Sequence, residues 1–415
     1  MNYLTRYAER KIKAFVDHFR AVLVTGARQV GKSTLLRYAF PNLKSIVFDP
    51  YLDLYGARKD PDFFLDNFPP PIILDEIQYV PELISAIKRR TDEQPFAGQY
   101  LLSGSQNLSV LKTITESMAG RVGILHLEAM SLDELCGQGD RCGWLSRYLA
   151  DPGSIKSISA SKEMPGGLLR TIWRGGMPGI IDLPDDMVPA YLKSYVETYI
   201  ERDVRLLANI RDLDTFGRFL GLCAALTAQE VNHSQLGREV GVQYKTAGEW
   251  LGMLKHTYQW KESSPYFGNT IKRLSRRSKG YLSDTGLVCY LQRITSPHAL
   301  AVSPLLGPLF ETWVYNEIAK QSMCLPISPL LYHWRTNGGA EVDIILEIDG
   351  KYFPIEVKCA AAVSRHDARG IRAFRDTYAG KIKIMDGLVI YAGKDIYGID
   401  ENVTAIPWNM LTAAP

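Results

Sequence analysis

The residues best suited to chemistry near the start of the chain form one run, Gly26-Ala27-Arg28-Gln29-Val30-Gly31-Lys32-Ser33-Thr34. It fits the pattern G-x-x-x-x-G-K-[ST], follows an apolar strand predicted over Ala21 to Thr25, and runs into a helix predicted to Phe40. The two glycines let the loop curl so that its backbone N–H groups, from Ala27 through Thr34, face a phosphate chain. Lys32 then reaches the outer phosphate oxygens, Ser33 ligates Mg²⁺, and the helix N-terminus adds its positive end. The expected ligands are ATP and Mg²⁺. A second apolar run, Pro71-Ile72-Ile73-Leu74, ends in Asp75-Glu76. A carboxylate at the end of a buried strand beside such a loop holds the metal shell, which suits Asp75. Glu76 is then placed to take the proton of an attacking water.

Two further positions leave alternatives open. The strand Gln99 to Leu102 ends in Ser103-Gly104-Ser105, where Ser103 or Ser105 either senses the terminal phosphate or makes an ordinary turn. Arg121 opens the strand Val122 to Leu125. It either reaches a nucleotide, in its own chain or across a homo-oligomer interface, or serves only a carboxylate or solvent. Strands near 21, 45, 71, 99 and 122, separated mostly by helical stretches, predict an open parallel α/β sheet with the ligand at the strand C-termini.

A second constellation lies near the C-terminus. The sequence predicts strands over Ala340–Ile348 and Lys351–Lys358 joined at Asp349-Gly350, a strong signal for a two-residue hairpin turn. Ile348 then pairs with Lys351 and Asp343 falls opposite Glu356. Strand alternation puts Val342, Ile344, Leu346, Phe353, Ile355 and Val357 on one apolar face and Glu341, Asp343, Glu356 and Lys358 on the other. Two carboxylates across a ladder repel unless something stands between them, and Mg²⁺ held by Asp343 and Glu356 is the predicted occupant. Lys358 would orient or activate a hydrolytic water, making Asp343, Glu356 and Lys358 candidate catalytic residues of a nuclease. Glu311, on a helix predicted from Pro308 to Gln321, either completes the metal shell or faces solvent.

Between these constellations the pattern changes. Residues 136 to 162 are rich in Gly, Ser and Asp and read as a lid or connector, and a long helix follows Pro189. Residues 215–258 show helix, Asn232–Val240, a break at Gly241-Val242, and a second helix, which is a helix-turn-helix pattern. The hairpin predicted after it carries Lys272, Arg273, Arg276, Arg277 and Lys279, the expected wing of a winged helix. With Lys245 these are the predicted contacts to DNA phosphates.

The chain of 415 residues, 46% hydrophobic and 22% charged, is long enough for several cores and is not disordered or fibrous. Its formal net charge of +3 hides an asymmetry. Residues 231–293 hold 10 basic and 4 acidic side chains, whereas the rest of the chain is nearly balanced. A clustered excess is the electrostatic footprint of a nucleic-acid contact. Six scattered cysteines argue for reduced thiols in the cytoplasm. Charges interrupt the N-terminus, excluding a signal-peptide core, and no apolar run approaches membrane-span length. The predicted division is 1–135, 136–212, 213–293 and 294–415.

Over most of its length the chain resembles the bacterial and archaeal AAA+-type ATPases that carry a C-terminal domain of unknown function. The resemblance rests on GARQVGKST at 26–34, PIILDEIQ at 71–78, LLSGSQ at 101–106 and MAGRV at 118–122. It continues through GGMPG at 175–179, YIERDV at 199–204, KGYLSDTGL at 279–287 and EVDIILEIDGKYFPIEVK at 341–358. The last segment is also similar to the PD-(D/E)xK restriction-endonuclease-like fold, with Asp343, Glu356 and Lys358 on its pattern and Val342 where proline would stand. The resemblance implies an α/β P-loop ATPase domain, a helical and winged-helix middle region, and a C-terminal nuclease-like α/β domain. The alternative reading is a slow nucleotide-gated switch whose nuclease-like domain is inactive.

Overall fold

The computed structural model describes residues 3–104, 118–157, 164–200, 212–267 and 277–410. Of the expected site residues, Ser105, Lys272, Arg273 and Arg276 lie outside this set. The chain divides into two compact units, one of residues 1–130 with 177–179 and 256–258, the other of the remainder. The expected boundaries at 212 and 293 have no counterpart in that division.

The first unit is built on a parallel sheet. Strands β1 (Ala21–Thr25), β2 (Lys44–Val47), β3 (Ile72–Asp75), β4 (Tyr100–Gly104) and β5 (Val122–His126) take the order β2-β3-β4-β1-β5. Helices α1 (Ala8–His18), α2 (Lys32–Ala39), α3 (Pro61–Asn67) and α4 (Glu82–Glu93) connect or flank them. The apolar spacing of α4 buries Leu83, Ile84 and Ile87 against Leu23, Ile72, Leu74 and Leu102 of the sheet. Because β4 lies between β1 and β3, the ends of these three strands stand side by side at one edge. The strand order reverses at β1, and in open α/β sheets ligands bind in the crevice at such a point.

The second unit contains a mixed sheet that includes β6 (Gln229–Glu230), β7 (Trp260–Pro265), β8 (Lys279–Leu282), β9 (Leu330–Arg335), β10 (Glu341–Ile348) and β11 (Lys351–Lys358). It continues through β12 (Lys383–Ile384), β13 (Gly387–Tyr391), β14 (Tyr397–Asp400) and β15 (Val403–Pro407). The middle region runs helix Leu213–Ala225, β6, helix His233–Val240, helix Tyr244–His256, β7 and β8, with β8 antiparallel to both β6 and β7. β7 also pairs in parallel with β9, at Ser264 with Tyr332 and Pro265 with His333. The hairpin expected as a free wing is therefore continuous with the C-terminal sheet.

The Asp349-Gly350 turn forms as its residues require, with φ of 51° and 69° at the two positions, and Ile348 pairs with Lys351 through to Ile344 with Ile355. The two expected faces need correction. The β9–β10 register shifts between Val342 and Ile345, so Val342 joins Ile345 and Tyr352 in the core beneath Ile371 and Phe374 of the helix Arg369–Tyr378. The opposite face is covered as well, for Tyr148 of the helix Trp144–Ala150 packs edge-on against Phe353 at 5.4 Å. Within the segment expected as a lid or connector, Trp144, Leu145 and Tyr148 are thus buried; a seven-residue helix is too short to show its period. The acidic hairpin residues consequently sit inside protein rather than on a wet surface.

Two of the glycine-rich motifs meet inside this unit. Asp284 caps the helix Thr285–Leu291 by accepting from Leu287 N–H at 3.0 Å, and its other oxygen accepts from Gly176 N–H at 2.8 Å. A Cβ at Gly175 would lie 2.2 Å from Asp284 Oδ1, so only glycine permits the approach. Replacing Asp284 by Ala removes the cap and strands a buried N–H. The expected loss is about 2–4 kcal/mol, read as a lower midpoint in denaturant at unchanged slope.

Candidate active site

The loop between β1 and α2 has a backbone that its sequence dictates. Gly26 and Gly31 have φ of 147° and 94°, and Gln29 is left-handed at 60°. Lys32 is buried and its Nζ donates to the carbonyls of Gly26 at 3.1 Å and Ala27 at 2.7 Å, holding the ammonium over the loop. Ala27 and Val30 are buried, Ser33 and Arg28 are partly so, and Gln29 and Thr34 are exposed. Sequence reasoning missed Arg6, which is 4% exposed and donates to Val30 O at 2.8 Å and Glu128 O at 2.7 Å. It ties the loop to the chain beyond β5. Tyr258 was missed too: its hydroxyl lies 3.1 Å from Thr25 Oγ1, one residue before the loop, and its ring lies 5.5 Å from that of His126.

Asp75 ends β3 fully inside the protein, 2% exposed. Ser103, at the tip of the interposed β4, donates its hydroxyl to Asp75 Oδ1 and accepts the Glu76 N–H at 3.3 Å. Ser103 is therefore a positioning residue for the carboxylates. Glu76 adopts a left-handed backbone, φ 59°, and Gln78 Nε2 donates to its carboxylate. A non-glycine residue in that region costs about 1–3 kcal/mol and persists only where its surroundings impose it. The Gln78 contact had a visible signal, since Gln78 closes the run after Asp75-Glu76.

Arg121 is not at this site. It precedes β5 at the N-terminal edge of a parallel sheet, whereas the loop after β1 and the acids after β3 lie at the C-terminal edge. The five residues of β5 span roughly 17 Å at about 3.3 Å each. Its guanidinium instead makes a two-pronged pair with Asp92, at 2.5 and 3.0 Å. A contact to nucleotide within its own chain is excluded by that distance.

In the second unit the structure brings Asp343, Glu356 and Lys358 together. Lys358 Nζ lies 3.1 Å from Glu356 Oε2 and 3.9 Å from Asp343 Oδ2, and Asp343 also accepts Val357 N–H at 2.9 Å. Glu311 joins them, its side chain 14% exposed rather than solvent-facing, and accepts the Tyr281 hydroxyl at 2.9 Å. Lys279 requires correction. Expected on a basic wing, it is 5% exposed and its Nζ lies 2.8 Å from Glu311, 2.9 Å from Glu341 and 3.5 Å from Asp343. All four residues of β8 are buried, so its side chains face protein on both sides of the sheet.

Burial pushes the Glu311 carboxyl up to about 7, helped by Asp343 and opposed by Lys279. Burial and Asp343 together hold Glu356 well above the carboxylate range. Burial also works against ionised Asp343, but the Lys279 and Lys358 ammoniums keep it below its ordinary value. The two neighbouring carboxyls are thus pushed in opposite directions. Among the described residues no group of three or more His, Cys, Asp and Glu side chains has the arrangement of a metal site.

Of the expected nucleic-acid contacts, Lys245 and Arg277 are exposed. Lys245 stands on the first turn of the helix Tyr244–His256, beside exposed Gln243 and a 69% exposed Tyr244. All six cysteines are free. Among the described residues no helix is long and apolar enough to cross a membrane.

Comparison with known proteins agrees with the nucleotide-site geometry. Residues 18–136 match the AAA domain family, 167–298 a Domain of unknown function (DUF8612), and 306–411 a Domain of unknown function (DUF4143). The chain is 27% identical over 404 residues to uncharacterized protein Rv2008c of Mycobacterium tuberculosis, and equally to uncharacterized protein Mb2031c of Mycobacterium bovis. Each alignment covers 97% of this chain and 83% of the relative. Among solved structures, the Walker-type ATPase PABY2304 of Pyrococcus abyssi aligns with 70% of this chain and 99% of its own, at 14% identity and a TM-score of 0.40. A tetratricopeptide-repeat STAND protein, PH0952 of Pyrococcus horikoshii, covers 77% of this chain and 47% of its own at 9% identity and a TM-score of 0.26. Both scores are too low to establish a shared overall fold. The N-terminal unit thus carries an AAA-type P-loop ATPase domain, and the two family matches beyond it assign no activity.

Proposed function

We propose that the protein binds and hydrolyses Mg·ATP at the β1–α2 loop and engages DNA through the basic middle segment. The observation that carries the first half is the convergence of Lys32, Ser33, Asp75 and Glu76 at one sheet edge, with Ser103 fastening Asp75 from the strand between them. The residues fit the ligand. A Cβ on Gly26 would strike Leu127 O at 2.2 Å, so the loop keeps a bare backbone close to the β5 connection, as a phosphate cradle needs.

Ser33 and Asp75 are the chain's ligands for the metal, and Lys32 and the loop N–H groups neutralise and orient the phosphates. Mg²⁺, when bound, offsets the charge that builds on the phosphate oxygens. Glu76 accepts the proton of the attacking water, and Gln78 governs where its carboxylate points. Arg6 keeps the loop in register by gripping Val30 O.

Support for the DNA half is narrower. It is the excess of basic residues in 231–293 and the exposed row Gln243, Tyr244 and Lys245 at the start of a helix that follows a glycine turn. In this reading residues 213–293 form a winged helix. Nuclease action by Asp343, Glu356 and Lys358 is disfavoured by Lys279, whose ammonium sits among those acids.

Two measurements test the proposal together. ATP hydrolysis is compared with and without duplex DNA, where stimulation of several-fold is expected. DNA affinity is then followed against salt for the wild type and for Lys245→Ala/Arg277→Ala. Each lost phosphate contact should flatten the slope of log affinity against log salt by about 0.9. Identical slopes, with no stimulation, would remove the DNA half and leave a nucleotide switch.

A further inference from the structure

The acids of the second unit pose a charge problem. Glu311, Glu341, Asp343 and Glu356 crowd together, with Asp343 and Glu356 buried and the Glu341 side chain 30% exposed, and the cation held among the first three is a lysine. Lys279 Nζ is within 2.8, 2.9 and 3.5 Å of Glu311, Glu341 and Asp343, and its side chain is 7% exposed. Lys358 closes the other side at 3.1 Å from Glu356.

We infer that Lys279 is the resident cation of this acid cluster, filling from within the position a divalent metal would take, so that the unit has no working metal-dependent nuclease centre. An ammonium with three carboxylate partners meets the same demand as Mg²⁺: it supplies positive charge to oxygens that would otherwise repel one another. Placing a metal there would set a second cation against the ammonium, and their repulsion favours the metal only once the lysine gives up those oxygens.

The strand that delivers Lys279 makes leaving difficult. β8 is paired on both edges, Lys279 with Glu230 of the end strand β6 on one side and with Ser263 of β7 on the other. Its register is fixed by the next residue, since a Cβ on Gly280 would fall 1.9 Å from the Trp260 ring. The backbone that carries Lys279 is held by ladder hydrogen bonds on both edges. The tether is therefore part of the sheet rather than a swinging loop, and Lys279 acts as a positioning residue for the acids. The same geometry explains why a basic residue at the end of an expected wing contributes nothing to a DNA-facing surface. This inference concerns the second unit alone and holds whether or not the first unit hydrolyses ATP.

The test is Mn²⁺ binding to the full chain without nucleotide, followed by the loss of the free-ion electron paramagnetic resonance signal. Wild type and Asp343→Asn should bind equal amounts, because Asp343 holds no metal. Lys279→Met should gain about one Mn²⁺ per chain, and Lys279→Met/Asp343→Asn should lose it. Circular dichroism and thermal unfolding establish that the variants are folded. A wild-type Mn²⁺ site that Asp343→Asn abolishes overturns the inference, even if Lys279→Met fails to fold. So does a folded Lys279→Met protein that gains no site. Plasmid cleavage by wild type with Mn²⁺ that disappears in Asp343→Asn overturns it equally.

Discussion

Replacing Glu76 by Gln is expected to lower kcat for ATP hydrolysis by about 10²- to 10⁴-fold while leaving nucleotide affinity nearly unchanged. The substitution keeps the size of the side chain and its ability to bond with Gln78, and removes only the capacity to take a proton. The loop backbone, Lys32 and Ser33 are all left in place, so phosphate binding should change little. A fluorescent nucleotide titration beside a phosphate-release assay separates the two quantities. If affinity fell as steeply as turnover, Glu76 would be holding the ligand or the loop rather than activating water. The left-handed backbone at Glu76 makes a second change informative: Glu76→Gly should relieve strain and stabilise the fold while abolishing turnover, a division of stability from activity that marks a functional site.

Adding one methyl group at Gly26 should be as damaging as removing a catalytic group. In Gly26→Ala the new Cβ meets a backbone carbonyl, Leu127 O, that cannot rotate away, because Leu127 N–H is itself bonded to Thr25 O at 2.7 Å. The φ of 147° adds strain. Overpacking and strain together cost about 2–6 kcal/mol. Part of that is relieved by shifting the loop, and a displacement near 1 Å in a positioned site costs about 100-fold. The expected result is ATP affinity weakened at least about 100-fold, with a lower unfolding midpoint. Gly31→Ala offers the contrast. Its added Cβ would find its nearest atom, on Arg6, at 3.5 Å, so only φ strain remains and the loss should be smaller.

The legible part of the site was the part whose chemistry depends on neighbours in sequence. The loop from Gly26 to Thr34 and the Asp75-Glu76 pair declare themselves because phosphate binding needs consecutive N–H groups, and because an acid must end a buried strand. The hairpin register was legible for a similar reason, since Asp349-Gly350 allows few other turns. The alternatives for Arg121 could have been narrowed from its sequence position: in a parallel sheet, a residue before a strand lies at the edge opposite a loop that follows one. Lys279 was beyond reach. Its charge, read locally, belongs with Arg276 and Arg277, and only the pairing of β8 with β6 and β7 turns it toward Glu311 and Glu341. The same long-range pairing, β7 with β9, joined a hairpin expected to stand apart to the C-terminal sheet. Val342 changed sides because the irregularity arises in the pairing with β9, a partner strand that the run Glu341-Val342-Asp343 does not reveal.

The most direct test of the account is phosphate release from ATP in the presence of Mg²⁺, measured for the wild type and for Lys32→Ala at equal, verified folding. Lys32 is buried with its Nζ pinned over the loop by Gly26 O and Ala27 O, so its loss leaves the phosphates without their principal charge partner. The account expects Mg²⁺-dependent turnover by the wild type and none above background by Lys32→Ala. Equal rates in the two proteins, or a wild type that releases no phosphate with Mg²⁺ present, would contradict it.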